Sequence, residues 1–168
     1  MASNFATAMK ALTVEFEKTT AHHAVLSFGS TGKHYAQIKN GAPFDVFLAA
    51  DAARPALLEE QGIALIGSRT TYARGKLVLW TSKPDVNDLK ETLLNSQDIR
   101  HLALANPKLS PYGLGAQQVM VELDIWPKLQ TKLVRGENIA QTFQFVHSGN
   151  AELGFVAYSQ AVNPKRSV

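Results

Sequence analysis

The sequence contains no cysteine. This absence excludes disulfide bonds, thiolate metal sites and catalysis by a thiol, and it fits an oxidising compartment as well as a reducing one. The sequence also lacks an apolar run long enough to span a bilayer. Its first residues, "MASNFATAMK", do not show the basic and apolar segments of a secretory signal peptide. We therefore expect a chain with neither crosslinks nor a membrane span, and without a signal peptide.

The sequence also has only a small excess of positive over negative charge. Seventeen lysines and arginines stand against 14 acidic residues, which gives a net charge of +3, and the basic residues are scattered along the chain. A nucleic-acid-binding surface needs clustered positive charge, so we predict no nucleic-acid partner. With 168 residues, 45% of them hydrophobic, the chain can bury a core as one domain or two small lobes.

Short apolar runs alternate with amphipathic stretches, which is typical of an α/β fold with largely parallel strands. Strands are predicted at 24–28, 45–49, 76–81, 101–105, 132–134 and 153–157. Helices are predicted at 5–18, from the glycine motif to about 40, and at 55–62, 86–94, 114–123 and 139–146. Asn4 is predicted to cap the first helix, which carries Leu12 and Phe16 on its apolar face.

Both ends of this pattern look shortened. In a parallel α/β unit a strand precedes each helix, yet only "MAS" stands before the predicted first helix. The last predicted strand continues into "YSQAVNPKRSV" without a helix to pack against it. We therefore expect elements to be missing at both ends.

The stretch "SFGSTGKHYAQI", at 27–38, combines two glycines, two hydroxyl residues and a lysine. A P-loop is excluded, because Ser27 stands where that motif needs glycine and His34 where it needs serine or threonine. The motif Gly-x-Ser-x-Gly of a strained nucleophile is also absent. Two interpretations remain, a helix N-terminus that binds an anion through backbone amides and hydroxyls, and a simple helix cap at Ser30.

Three further junctions favour the anion interpretation. They are "ASN" at 2–4, "SPYG" at 110–113 and "GENIAQ" at 136–141, each predicted to precede or open a helix. In open α/β sheets ligands bind at the carboxyl ends of strands, where such junctions lie. Several helix N-termini could therefore surround one small oxyanion. The neighbours His22 and His23 lack the spacing of a metal site on a helix, and we expect them to be exposed.

Five stretches carry a resemblance over nearly the whole chain: "ASNF", "GSTGKHYAQIKNGAPFDVFLAAD", "GSRTTYARGKLVLW", "NPKLSPYGLGAQQVM" and "ELGFVAYSQA". In this order they resemble the periplasmic molybdate-binding proteins of ABC importers. The resemblance implies a two-lobe periplasmic-binding-protein-like fold of class II, with mainly parallel sheets and helices on both faces. Lobe one would span 1–75 and lack its first strand and its C-terminal return. Lobe two would span 76–158, and 159–168 would begin a second crossover.

The resemblance also implies the residues that bind the oxyanion. Tyr112 and Ile139 match positions whose backbone N–H groups face the anion. A tyrosine that some members use in the last strand of lobe two is Ala157 here, and the neighbouring Tyr158 is not assigned that role. The complete predicted ligand-binding set is Ser3, Asn4, Ser30, Thr31, Tyr112 and Ile139.

The function implied is that of a carrier and not an enzyme. It would bind molybdate or tungstate between the lobes in the periplasm and deliver it to the membrane permease of an ABC importer. No cofactor and no metal other than the oxyanion is expected. Because lobe one would be incomplete, open apolar surface and self-association as a homo-oligomer are expected. The alternatives are the effector domain of a transcription regulator, a hydrolase that uses Ser30 or Thr31, and a shortened chain that binds nothing.

Overall fold

The structure is a computed structural model that describes residues 1–84, 86, 88–95, 97 and 99–162. Its sheet has four strands in the order β1-β4-β2-β3. β1 (Leu77–Trp80) is antiparallel to β4 (Leu153–Ala157), whereas β2 (Leu102–Ala105) is parallel to β4 and to β3 (Leu133–Gly136). The predicted α/β fold with mainly parallel strands is therefore confirmed in this part of the chain.

Strands β2 and β4 are buried along their whole length. Their sequences, "LALA" and "LGFVA", are continuous apolar runs, as expected for strands that have helices on both sides. Leu102 and Leu104 pack into a core on one face, and Ala103 packs with Val146 on the other. The alternation of side chains along a strand thus places α-helices on both faces of the sheet.

The helices that cover the sheet follow the strands in the chain. On the first face lie α4 (Leu89–Leu94), α5 (Pro111–Glu122) and α6 (Trp126–Leu129). On the second lies α7 (Ile139–His147), where Phe143 stacks on Trp80 with 4.9 Å between the ring centroids. A 3-10 turn (Gln130–Lys132) leads into β3, and α8 (Tyr158–Ala161) follows β4.

The N-terminal region contains a 3-10 turn (Ser3–Phe5), α1 (Ala6–Thr19), α2 (Thr31–Lys39) and α3 (Ala53–Glu60). The strands predicted at 24–28 and 45–49 are wrong, since these segments form no ladder in the described structure. A ladder needs a partner strand on the same edge. Here single backbone bonds to the first residues, from the Met1 amino group to Ser27 O (2.6 Å) and from Ala2 N to Leu48 O (3.0 Å), take the place of a ladder.

Much apolar surface of the N-terminal region is open, in agreement with the expectation from the sequence. Val25 is 89% exposed and Ile66 88% exposed. The predicted apolar face of α1 is also uncovered, because Leu12 and Phe16 are both exposed. No helix in the described part of the chain is long and apolar enough to cross a bilayer.

Several helix boundaries differ from the predictions. α1 begins after Phe5, and Asn4 does not cap it, because the Asn4 side chain bonds to Tyr112 instead. α4 begins after its cap Asp88, whereas the predicted helix at 86–94 includes position 87, which lies outside the described residues. α5 begins at Pro111, three residues earlier than predicted, because proline is favourable as the first residue of a helix.

Candidate functional site

The turn Ser3–Phe5 lies beside the start of α2. Ser3 N donates to Gly29 O at 3.1 Å. Gly29 directly precedes Ser30, which is the N-cap of α2. The structure therefore brings together the first two predicted junctions, one with Ser3 and one with Ser30, and both side chains are buried.

The Ser3 hydroxyl reaches the start of α7. It donates to Asn138 Oδ1 at 3.1 Å and accepts from Ala140 N at 3.2 Å. Asn138 is the N-cap of α7, and its Oδ1 also accepts from the amides of Ala140 and Gln141 at 3.0 Å each. These acceptors serve amides that have no partner within the helix. A third junction thus adjoins the first.

Asn4 connects the same turn to α5. Its Nδ2 donates to the Tyr112 hydroxyl at 3.1 Å. Burial raises the pKa of Tyr112, the neighbouring Tyr72 raises it further, and the hydrogen bond from Asn4 lowers it. The hydroxyl therefore keeps its proton at neutral pH. Asn4 Oδ1 is buried and has no hydrogen-bond partner among the described residues. An unsatisfied buried acceptor lowers the stability of the folded state by about 1–3 kcal/mol.

Ser30 and Thr31 use their hydroxyl oxygens as acceptors at the start of α2. Ser30 Oγ accepts from Lys33 N at 3.3 Å, and Thr31 Oγ1 accepts from Ala50 N at 3.1 Å. Each hydroxyl therefore retains its proton for donation. Neither is hydrogen-bonded to a histidine in the described structure, so the geometry of a serine or threonine nucleophile is not formed.

Gly32 joins α2 to the segment before α5. Its amide donates to Leu109 O at 2.8 Å. A Cβ atom at this position would lie 2.8 Å from Leu109 O and 3.1 Å from Leu109 Cα, so only glycine fits without a backbone shift. The start of α2 and the start of α5 are thus held against each other by backbone contact.

Ile139 is the first residue of α7 and is buried. Its amide has no acceptor within the helix because of its position in the first turn. It packs with Ala105, Ala157 and Tyr112 at the carboxyl ends of β2 and β4. Tyr158, which is not part of the predicted site, opens α8 with an exposed side chain.

Two basic side chains near these junctions, those of Lys33 and Arg54, are paired with acidic ones. Lys33 Nζ lies 3.4 Å from Glu137 Oε2 on the surface. Arg54 pairs with Asp51 and also donates to Lys108 O at 3.3 Å. No group of three or more histidine, cysteine or acidic residues suited to a metal ion occurs among the described residues. The predicted site therefore depends on neutral donors.

A cleft of about 1490 Å³ runs along the N-terminal region, past residues 44–52 and 68–77. Asn4 and Tyr112 line one edge of it, whereas Ser30, Thr31 and Ile139 do not. Its other walls are largely apolar, including Val46. A cleft of this size and lining does not match a small oxyanion, and the junctions themselves are the better candidate site.

The contacts connect all six predicted residues through the four junctions. Sequence reasoning singled out Gly32 as a small residue that permits close backbone approach, but it missed the contribution of Asn138. Asn138 could have been found, because asparagine directly before an apolar helix is a common N-cap. Its contact with Ser3, 135 residues away, had no signal in the sequence.

Comparison with known proteins identifies the relatives. The chain is 52% identical over 160 residues to the molybdate-binding protein ModA of Azotobacter vinelandii, and 46% identical over 162 residues to that of Rhodobacter capsulatus. These alignments cover 95% and 96% of this chain but 64% of each relative. The chain thus spans about two thirds of their length. Their names describe binding proteins, in agreement with a carrier and not an enzyme.

Solved structures agree with these relatives. The periplasmic molybdate-binding protein of Azotobacter vinelandii superposes with a TM-score of 0.87 at 46% identity, over 93% of this chain and 68% of that one. The substrate-binding domain of a molybdenum ABC transporter from Clostridium difficile, described as putative, gives 0.65 at 27% identity, over 96% and 71%. A family model of bacterial extracellular solute-binding proteins matches residues 1–168. The chain therefore belongs to the family of bacterial extracellular solute-binding proteins.

Proposed function

We propose that this chain binds molybdate or tungstate where the turn Ser3–Phe5 meets the starts of α2, α5 and α7. The observation that carries the proposal is the convergence of these starts. Ser3 bonds to the start of α7, Asn4 bonds to Tyr112 on α5, and Gly32 joins α2 to the segment before α5. Helix N-termini present amides that have no partner within the helix, such as that of Ile139, and a partial positive charge, which suits an anion.

Neutral donors suit a carried dianion. Each charge-assisted hydrogen bond from an amide or hydroxyl contributes on the order of 1.5–3 kcal/mol, so several together can offset the loss of hydration. The donors proposed are the hydroxyls of Ser30 and Thr31, the amides of Tyr112 and Ile139, and the Ser3 hydroxyl once its proton turns from Asn138 Oδ1 to the anion. A pocket lined by donors disfavours protonated phosphate, whose hydroxyl needs an acceptor, and sulfate is too small to reach every donor.

The same geometry supports a carrier with two lobes, one from 1–75 and the other from 76–158, that close on the anion. The contacts between Ser3 and Asn138, Asn4 and Tyr112, and Gly32 and Leu109 all join these two parts. The similarity to a periplasmic molybdate-binding protein and to the substrate-binding domain of a molybdenum ABC transporter supports delivery to an ABC importer permease from the periplasm. Self-association stays a prediction, which the mass of the protein in solution tests.

The experiment is a thermal-shift comparison of molybdate, tungstate, sulfate and phosphate. A ligand that binds only the folded chain stabilises it by roughly 4 kcal/mol at about 1,000 times its Kd. Molybdate and tungstate should raise the Tm by several degrees, and sulfate and phosphate should not. Equal responses to all four anions, or none to the first two, would contradict the proposal.

A further inference from the structure

The Asn4 side chain is only half satisfied in this structure. Its Nδ2 donates to the Tyr112 hydroxyl at 3.1 Å, whereas its Oδ1 is buried without a partner among the described residues. Asn4 follows Ser3, whose hydroxyl contacts the start of α7. A buried acceptor oxygen without a partner therefore belongs to a residue that the proposed function places in the anion site.

The position of the Tyr112 hydroxyl is built into the fold. A Cβ atom at Gly75 would lie 2.0 Å from Tyr112 Oη and 3.0 Å from Cζ, so the absence of a side chain at Gly75 makes room for the hydroxyl. The ring packs with Ala105, Ile139 and Ala157. Backbone and core thus hold the hydroxyl against Asn4.

A tyrosine hydroxyl can serve either end of an amide, because it donates one hydrogen bond and also accepts. A rotation of the Asn4 amide by a half turn exchanges Oδ1 and Nδ2. Tyr112 would then donate to Oδ1, and Nδ2 would occupy the place of the buried oxygen. That exchange converts an unpartnered acceptor into a donor without moving the backbone.

We infer that the Tyr112 hydroxyl positions the Asn4 amide for oxyanion binding. In the bound protein Tyr112 donates to Asn4 Oδ1, and Asn4 Nδ2 donates to an oxygen of the anion. Tyr112 is a positioning residue through its side chain, in addition to the backbone contact that the resemblance implies. This inference rests on the proposed function.

The test is a double-mutant cycle of molybdate binding by isothermal titration calorimetry, with Asn4→Ala, Tyr112→Phe and both together. Tyr112→Phe should weaken binding about fivefold to tenfold, as expected for one lost hydrogen bond. In the Asn4→Ala background the same change should have no further effect, because the amide that it positions is gone. A purely structural role would weaken binding equally in both backgrounds.

The matched control is Tyr72→Phe. It removes another partly buried tyrosine hydroxyl, which donates to Ala49 O at 2.9 Å, and should leave binding unchanged. Gly75→Ala is a second variant that displaces the hydroxyl without altering Asn4 or Tyr112, and it should reproduce the loss. The inference would be overturned, with the proposed function left intact, by wild-type affinity in both Tyr112→Phe and Gly75→Ala. Equal losses from Tyr112→Phe in the wild-type and Asn4→Ala backgrounds would have the same consequence. Absence of molybdate binding by the wild-type chain would overturn the proposed function as well.

Discussion

The amide of Gly32 donates to the carbonyl oxygen of Leu109 at 2.8 Å, and this bond holds the start of α2 against the segment that precedes α5. Both partners are backbone atoms. The distance between the two helix starts therefore depends on the absence of a side chain at Gly32, and the proposed anion site depends on that distance.

Replacement of Gly32 by alanine should weaken molybdate binding by about tenfold or more, since a Cβ atom 2.8 Å from Leu109 O forces the two segments apart. The control is Gly115→Ala in α5, where the new Cβ would meet only Leu77 Cδ2 at 3.4 Å. That variant should keep its affinity and gain roughly 0.5–1 kcal/mol of stability. Calorimetric titration and urea unfolding measure the two quantities.

Asn138→Asp should lower the affinity for molybdate without lowering the stability of the fold. A carboxylate remains a good N-cap and favours the helix N-terminus, so the Tm should hold or rise. A negative charge beside the bound dianion should lower molybdate affinity by about tenfold or more. Asn150→Asp is the matched control, because it adds the same charge on the surface beyond the other end of α7, roughly 13 Å of helix away. Unchanged affinity in Asn138→Asp would argue against an anion at this helix start.

We predict that molybdate affinity depends on the hydrogen bonds of the Thr31 hydroxyl and not only on the shape of the side chain. Thr31→Val keeps the shape but leaves Ala50 N without its acceptor and removes the proposed donor, so affinity for molybdate should fall about tenfold. Thr31→Ser keeps the hydroxyl and should stay within about threefold of the wild type. Equal losses in the two variants would show that the methyl group, not the hydroxyl, is needed.

His34 should make stability depend on pH. Burial lowers the pKa of His34 below its ordinary 6.5, and the nearby N-terminal amino group lowers it further. At pH values between the folded-state pKa of His34 and 6.5, the unfolded chain binds more protons than the folded chain. The contribution of His34 to the free energy of unfolding is therefore complete above pH 6.5 and is lost as the pH falls through that range. Urea unfolding at about pH 7.5 and about pH 5 should show a smaller difference for His34→Gln than for the wild type. The exposed His22→Gln should behave like the wild type.

The sheet and its helices were predictable because their signals are local. β4, "LGFVA", is a continuous apolar run, and both its bounds were predicted correctly. α7 begins at the predicted Ile139, where asparagine precedes an apolar helical pattern. Pro111 was overlooked as a helix start, although a proline in the first turn is a recognised signal.

The predictions failed where structure depends on distant partners. The segments at 24–28 and 45–49 have the composition of strands, but pairing decides whether a run becomes a strand, and their backbone bonds to Met1 and Ala2 are single bonds outside any ladder. The site shows the same division. Its helix starts were predictable one by one, whereas the contact of Asn4 with Tyr112, across 108 residues, required the fold.

Equilibrium dialysis of the purified, folded chain against molybdate, with protein-bound molybdenum measured by mass spectrometry, tests the proposed function most directly. We predict saturation at one molybdenum per chain, and retention of the metal when sulfate is present in about 100-fold excess over molybdate. A chain that is folded by circular dichroism and retains no molybdenum, or releases it to sulfate, would contradict the proposal.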